Sequence, residues 1–153
     1  MKKMKRLMCM VLAGLMILSM AACGGSKPQT AVLTYEANGV TMEYKIDAKG
    51  DTINTITQTS SIDCSAYSED DIATIQASMD EYAAIYEAYD GVKYETAVDG
   101  TTLKEIITLD VSDSDLVQSL SDAGLLPIEG DRTKLSLEKT VENLESQGWA
   151  LQE

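Results

Sequence analysis

The sequence predicts an α+β fold: a five-stranded, mainly antiparallel sheet in the order β-β-β-α-β-β-α-α, with the helices packed on one face. Short stretches of alternating or β-branched residues are separated by Asn-Gly and Asp-Gly pairs, which are typical of β-hairpins. Longer stretches repeat apolar residues every three or four positions after a Ser or Asp, as amphipathic helices do. The 131 residues that follow residues 1–22, a predicted leader, suit one such domain.

The first three strands are predicted to form a meander. Residues 31–37 lead into an Asn-Gly turn, and residues 40–47 return with apolar and polar side chains in strict alternation. This alternation places one face of the second strand in the core and the other in water. A third strand is predicted over residues 52–62, where Ile53 and Ile56 are three apart; this spacing breaks period two and indicates a bulge.

A long helix is predicted next, lying across the sheet as the main core element. Ser68 is its candidate N-cap, three acidic residues occupy its first turn, and an Asp-Gly pair at residues 90–91 ends it. Its apolar face steps by three and four residues through Ile72, Ile75, Met79, Tyr82, Tyr86 and Tyr89.

The remaining chain predicts a second hairpin and two short helices. Strands over residues 92–98 and 101–111 are joined by an Asp-Gly turn. A helix over residues 116–123 follows a run of alternating Ser and Asp that supplies its cap. Leu135-Ser136 starts the last helix, and Trp149, which follows Gly148, is expected to pack against this helix.

Residues 1–22 look like a cleaved lipoprotein signal peptide. A basic cluster precedes an apolar run over residues 7–20, and small residues end directly before Cys23. In bacterial lipoproteins this cysteine is lipidated and becomes the mature N-terminus. Residues 23–30 are then the lipidated cysteine and a flexible tether, and residues 31–153 a single domain.

Two other interpretations of this leader stay open. A transmembrane helix would need about 20 residues, more than the apolar stretch offers. A plain secretory leader would not need Cys23. The lipoprotein interpretation predicts an extracytoplasmic protein anchored to the cell membrane, or to the outer membrane in a cell that has one.

The mature chain is expected to be strongly acidic. The leader holds four of the 12 basic residues and none of the 25 acidic ones, so the remainder carries a net charge of −17. This charge argues against nucleic acid as a partner, because phosphates are bound by Lys and Arg. A solvated acidic surface explains it, and a cationic partner or an envelope protein is the alternative.

The residue types argue against an enzyme. There is no His, which removes Ser-His-Asp and Cys-His arrangements and the commonest zinc ligand, and no phosphate-binding glycine loop is present. Cys64, the only thiol left in the mature chain, is expected to be a small buried apolar side chain. No cofactor is predicted, apart from the covalent lipid on Cys23.

Two groups of residues are candidate sites. Tyr82, Tyr86 and Tyr89 would line a groove for a small ligand or peptide, or would be core positions whose hydroxyls reach water. The carboxylates of Asp110, Asp113 and Asp115 would bind calcium or serve a hydrolase. Alternatively, helix capping explains Ser112 and Asp115 without a metal.

The order of these features resembles the YehR-like family of small bacterial lipoproteins, a domain of unknown function. The resemblance rests on Cys23, Asn38-Gly39-Val40 between alternating strands, the acidic-capped helix, Asp90-Gly91-Val92 and the closing Gly148-Trp149. It covers essentially the whole mature chain and implies a compact α+β domain on a lipid anchor. The family brings no established catalytic residues, so the expected role is a binding or accessory domain at the cell envelope.

Overall fold

The structure, a computed structural model, describes residues 27–126 and 134–152. The predicted signal peptide and Cys23 therefore lie outside the described residues.

Six antiparallel strands form one sheet, and three helices pack against it. The strands lie in the order β4-β5-β3-β2-β1-β6. The elements in chain order are β1 (Pro28–Ala37), β2 (Val40–Lys49), β3 (Thr52–Asp63), α1 (Glu69–Tyr86), β4 (Val92–Asp99), β5 (Thr102–Asp110), α2 (Ser114–Asp122), α3 (Leu137–Ser146) and β6 (Ala150–Leu151). The α+β class and the antiparallel sheet are confirmed.

The prediction of five strands is wrong, because a sixth strand closes one edge of the sheet. The two residues of β6 pair with Leu33 and Thr34 of β1, and the N–H of Gln152 donates to the carbonyl of Val32 at 2.8 Å. A strand of two residues shows no periodicity in sequence. Its place depends on the chain turning back after α3, which is a tertiary event.

The sheet also begins earlier than predicted. Pro28, Gln29 and Thr30 pair with Lys49, Ala48 and Asp47 of β2, so the last three residues assigned to the tether belong to β1. The Thr30 hydroxyl donates to the Asp47 carboxylate at 2.6 Å. The first described strand therefore starts at Pro28, three residues before the predicted start of the domain.

The local turn and bulge predictions are confirmed. Asn38 and Gly39 both have positive φ, 55° and 79°, as a type I′ hairpin turn requires. The register between β2 and β3 shifts at Asp47 and Ala48, which leaves Asn54 without a paired residue. This extra residue lets Ile53 and Ile56 both point into the core despite their spacing.

The core lies on one face of the sheet, as predicted. Alternating strand residues such as Leu33, Ile46 and Ile107 form its floor, and Leu120 of α2 and Leu137 of α3 cover it. A smaller cluster of Cys64, Met79 and Leu103 packs under α1, and Cys64 is free and buried, as expected.

Helix α1 is not the main core element, contrary to the prediction. Its N-cap is as expected, because Ser68 and Asp71 form a capping box, but the helix ends at Tyr86 and only Met79 is buried. The helix lies over β4, at the edge of the sheet. Helix α2 buries three residues, Leu116, Val117 and Leu120, and α3 lies over β1 and β6 at the other edge of the sheet.

The opposite face of the sheet is polar, and no described helix packs on it. It carries Thr and charged side chains, including the exposed ion pairs Lys45–Asp47 at 3.5 Å and Lys93–Glu95 at 3.0 Å. Such pairs contribute little to stability in water. None of the described helices is long and apolar enough to cross a membrane.

Candidate binding cavity

A cavity of about 920 Å³ lies between the core face of the sheet, the end of α2 and helix α3. Its floor consists of aliphatic strand residues, among them Ile46, Ile56 and Leu109. Leu144 of α3 and Leu126, which follows α2, line the walls. The floor exists because β2, β3 and β5 place alternate apolar residues in register on the same face.

An aromatic stack forms one wall of the cavity. Tyr44 of β2 stacks on Trp149 with ring centroids 4.6 Å apart and an angle of 23° between the rings. Tyr35 of β1 contacts the same indole at 5.5 Å. Gly148, at φ 94°, follows the end of α3 and turns the chain so that Trp149 reaches the sheet. The backbone N–H of Trp149 donates to the backbone carbonyl of Leu144 at 3.1 Å.

A second aromatic pair lies at the α1 side of the cavity. Tyr86 lines the cavity and stacks on Tyr94 of β4 with ring centroids 5.9 Å apart. The Tyr94 hydroxyl donates a hydrogen bond to the Glu105 carboxylate. Burial, then the charge of Glu105 and the neighbouring Tyr82, raises the pKa of Tyr86. Burial, and secondarily Tyr86, also raises the pKa of Tyr44, so both phenols stay neutral donors near neutral pH.

Polar side chains interrupt the apolar lining at a few points. Gln58 lies on the floor beside Tyr44 and donates to the Ser60 hydroxyl at 3.4 Å. Asn143 and Gln147 of α3 bond to each other at 2.8 Å. Lys134 and Lys139 complete the lining at the start of α3.

The start of α3 is fixed to the sheet by the turn after β2. The backbone carbonyl of Asp51 accepts from Leu137 N–H and its carboxylate accepts from Glu138 N–H, both at 2.9 Å. The Ser136 side chain accepts from Lys139 N–H at 3.2 Å. Burial opposes ionisation of Asp51, but Glu138 N–H, Ser136 and Lys134 outweigh it and lower the pKa of this carboxyl.

A family model described as a protein of unknown function, DUF1307, matches residues 29–150. The chain belongs to this family. The match begins one residue inside β1 and ends in β6, so it covers every element of the fold, including the strands and helix that form the cavity. The comparison with curated proteins gives no match.

Two solved structures share the fold of this family member. The NMR structure of the E. coli YehR protein has a TM-score of 0.63 at 17% identity, covering 84% of this chain and 93% of that one. An NMR structure of a protein from Streptococcus pneumoniae TIGR4 has a TM-score of 0.55 at 14% identity, covering 85% and 88%. The resemblance to YehR-like proteins inferred from the sequence is confirmed, and at these identities the structural likeness concerns the fold.

The three tyrosines predicted to line a groove do not act together in this domain. Tyr86 lines the cavity, but Tyr82 is 53% exposed and Tyr89 packs against the core outside the lining. Sequence reasoning missed Tyr44 and Trp149, which lie far apart in the chain. The alternation of β2 marked Tyr44 as inward-facing, yet nothing local indicated that Trp149 would stack on it.

Two of the three aspartates predicted to bind calcium, Asp110 and Asp113, accept local hydrogen bonds, and the third, Asp115, lies in the first turn of α2. Asp110 accepts hydrogen bonds from the N–H and hydroxyl of Ser112, which lower the pKa of its carboxyl. Asp113 is the N-cap of α2 and accepts from Asp115 N–H at 2.9 Å. Across the described ranges, no three Cys, Asp or Glu side chains are grouped to hold a metal ion.

Proposed function

We propose that this protein is a lipid-anchored, extracytoplasmic binding protein that holds a small, largely apolar molecule in the cavity between the sheet and α3 without transforming it. The observation that carries the proposal is the cavity wall formed by Tyr44 and Trp149. The sequence predicted such a ligand site at Tyr82, Tyr86 and Tyr89; the proposal keeps the ligand but assigns its binding to Tyr44 and Trp149.

The size and lining of the cavity support a ligand the size of a metabolite or a short acyl chain. Ligand sites in proteins occupy about 300–1,000 Å³ and combine an apolar lining with a few fixed polar groups. The cavity of about 920 Å³ has an aliphatic floor, two aromatic contacts in Tyr44 and Trp149, and the amide of Gln58. Aromatic rings hold apolar molecules with little loss of side-chain entropy, because they have few rotatable bonds.

The place where the chain enters the sheet supports the anchored part of the proposal. Five residue steps separate Cys23 from Pro28, so this segment spans at most about 18 Å. The carbonyl of Lys27 accepts from Gly50 N–H at 2.8 Å, and the next residue, Asp51, caps α3 at the rim of the cavity. With a lipid on Cys23, the rim lies at the end of the domain nearest the membrane.

Binding is tested with N-phenylnaphthylamine, a neutral apolar dye, added to the full chain. Trp149 is the only tryptophan, so energy transfer from it to the dye reports a dye bound in or near the cavity. The Tyr44→Ala variant removes one wall, and we expect it to weaken dye binding about tenfold, from the loss of a stacking contact and apolar area.

The matched control is Tyr67→Ala, because Tyr67 is 46% exposed and lies outside the cavity. It should leave dye affinity unchanged. Absence of energy transfer in the parent protein, or an equal loss in both variants, would reject the cavity as the binding site.

The anchor is tested by expressing Cys23→Ala in a bacterial host supplied with a labelled fatty acid. We expect the variant to lose the label and to move from the membrane fraction to the soluble fraction, because stable anchoring needs acyl chains. Cys64→Ala is the control for changing a cysteine, since this thiol is buried in the domain. A Cys23→Ala protein that keeps both label and membrane association would refute lipidation at this residue.

A further inference from the structure

We infer that the ligand is an amphipathic anion, whose apolar body lies against Tyr44 and Trp149 and whose charged group lies at Lys134 and Lys139. This inference rests on the proposed function, because it assigns the chemical class of the molecule in the same cavity. The observation behind it is the distribution of charge around the cavity.

The described residues of the cavity lining have the opposite charge to the protein as a whole. The chain has 25 acidic and 12 basic residues, yet the described lining contains two lysines and no carboxylate. The positive charges of the two lysines would not attract a cation or a neutral molecule. A carboxylate, sulfonate or phosphate group at the rim would gain two charge-assisted contacts.

The two lysines are free to bind an anion. The ion pairs among the described residues involve Lys45, Lys93 and Lys104, so none of them occupies the cavity lysines. Asp51 interacts with Lys134 through space, but no ion pair forms between these two described residues, and the Asp51 carboxylate is held by Glu138 N–H and Ser136. No described carboxylate pairs with Lys139.

The backbone at the start of α3 does not compete for this role. Its N–H groups at Glu138 and Lys139 already donate to Asp51 and Ser136. An anion at the rim is therefore held by the lysine side chains, whose four-carbon stems allow them to reach toward the cavity.

The local charge outweighs the general field of the protein at this position. A net charge of −17 on the predicted mature chain repels anions at long range, but salt screens that field beyond about 8–10 Å. Contacts with the two lysines act at a few ångströms, next to an apolar cavity where charge interactions are stronger than in water. The anion thus combines a local charge contact with burial of its apolar body.

Two dyes that differ by one charged group separate this inference from the proposed function. Anilinonaphthalene sulfonate has the same rings as N-phenylnaphthylamine plus a sulfonate. With the full chain at low salt, we expect the sulfonate to bind about tenfold more tightly than the neutral dye. We expect this preference to shrink as salt is raised.

The lysine assignment is tested with the double variant Lys134→Gln, Lys139→Gln. It should reduce the affinity of the sulfonate about tenfold and leave that of the neutral dye unchanged. The control is Lys45→Gln, Lys93→Gln, which changes the net charge equally on the opposite face of the sheet and should alter neither affinity. Circular dichroism spectra and thermal unfolding confirm that all variants are folded.

The possible results are distinct. Neither dye bound in the parent protein would reject the proposed function together with this inference. Equal affinity for both dyes would overturn the anionic ligand and leave the cavity proposal standing. A preference for the sulfonate that survives the cavity double variant would overturn the role of the two lysines. A loss shared by both double variants would assign the effect to net charge and overturn the role of the two lysines.

Discussion

At the scale of single residues, Tyr94 is the group whose titration should be visible in stability. Only 8% of this residue is exposed, and its hydroxyl donates to Glu105. Burial first, and then the hydrogen bond and charge of Glu105, raise the pKa of Tyr94 well above the ordinary tyrosine value. The unfolded chain ionises this phenol near pH 10, whereas the folded protein keeps it protonated there.

Because the unfolded state then binds fewer protons than the folded state, the free energy of unfolding should fall as pH rises above about 10. Tyr94→Phe keeps the ring and removes the titration, so the fall should be less steep, by up to about 1.4 kcal/mol per pH unit. Below about pH 9, where the phenol is protonated in both the folded and the unfolded state, the variant should be about 1–3 kcal/mol less stable, because it lacks the hydrogen bond to the charged Glu105 carboxylate.

Urea unfolding across the alkaline range measures both effects. Tyr67→Phe, at an exposed site, is the matched control and should behave as the parent protein does. An unchanged alkaline slope in Tyr94→Phe would show that this hydroxyl does not stay protonated in the folded state.

At the scale of elements, the attachment of α3 to the β2–β3 turn depends on Asp51. The carboxylate accepts from Glu138 N–H and lies at the positive end of the helix dipole. Asp51→Asn keeps the acceptor oxygen and removes the charge. We expect a loss of about 0.5–1 kcal/mol at neutral pH, since the site is exposed and screened.

The difference in stability between parent and variant should disappear in acid. The pKa of Asp51 is lowered by folding, so the ionised carboxylate stabilises the protein at pH values above the pKa of the unfolded chain, near 3.9. This stability is lost as the pH falls through the lower pKa of the folded state. Thermal unfolding of parent and variant between neutral and acidic pH tests this convergence. Asp80→Asn, at an exposed position within α1, is the control. If the difference in stability between parent and Asp51→Asn were the same at every pH, the effect of Asp51 would not come from its charge.

The elements that sequence could predict are those decided by neighbouring residues. Asn38 and Gly39 need positive φ, Ser68 and Asp71 cap each other, and the spacing of Ile53 and Ile56 requires one extra residue between them. Each of these is complete within a few positions of the chain.

The elements that sequence could not predict are decided by distant contacts. The short strand β6 is defined only by its partners Leu33 and Thr34, and the position of α1 over the edge strand β4 is likewise set by residues distant in the chain. The cavity has the same origin. Tyr44 and Trp149 form one wall only after the end of the chain returns to the sheet. The periodicity of α1 instead predicted a site at Tyr82, which is exposed.

At the scale of the whole molecule, the N-terminal boundary determines how far the cavity rim can lie from an anchored Cys23. Gln29 donates to the carbonyl of Gly50 at 3.0 Å, and Thr30 donates to Asp47 at 2.6 Å. A chain that starts at Lys27 keeps these bonds. A chain that starts at Ala31, the boundary inferred from sequence, loses them together with three paired residues of β1.

We therefore expect the chain starting at Lys27 to unfold like the full chain, and the one starting at Ala31 to lose about 2–4 kcal/mol, at about 1 kcal/mol for each lost hydrogen bond. Urea unfolding followed by Trp149 fluorescence measures the difference. Equal stability of the two chains would show that the pairing of Pro28, Gln29 and Thr30 does not stabilise the sheet. These residues would then belong to the tether, which would be longer. A loss in this range makes these residues part of the sheet and keeps the rim at Asp51 and Lys134 within a short span of Cys23, the proposed anchor.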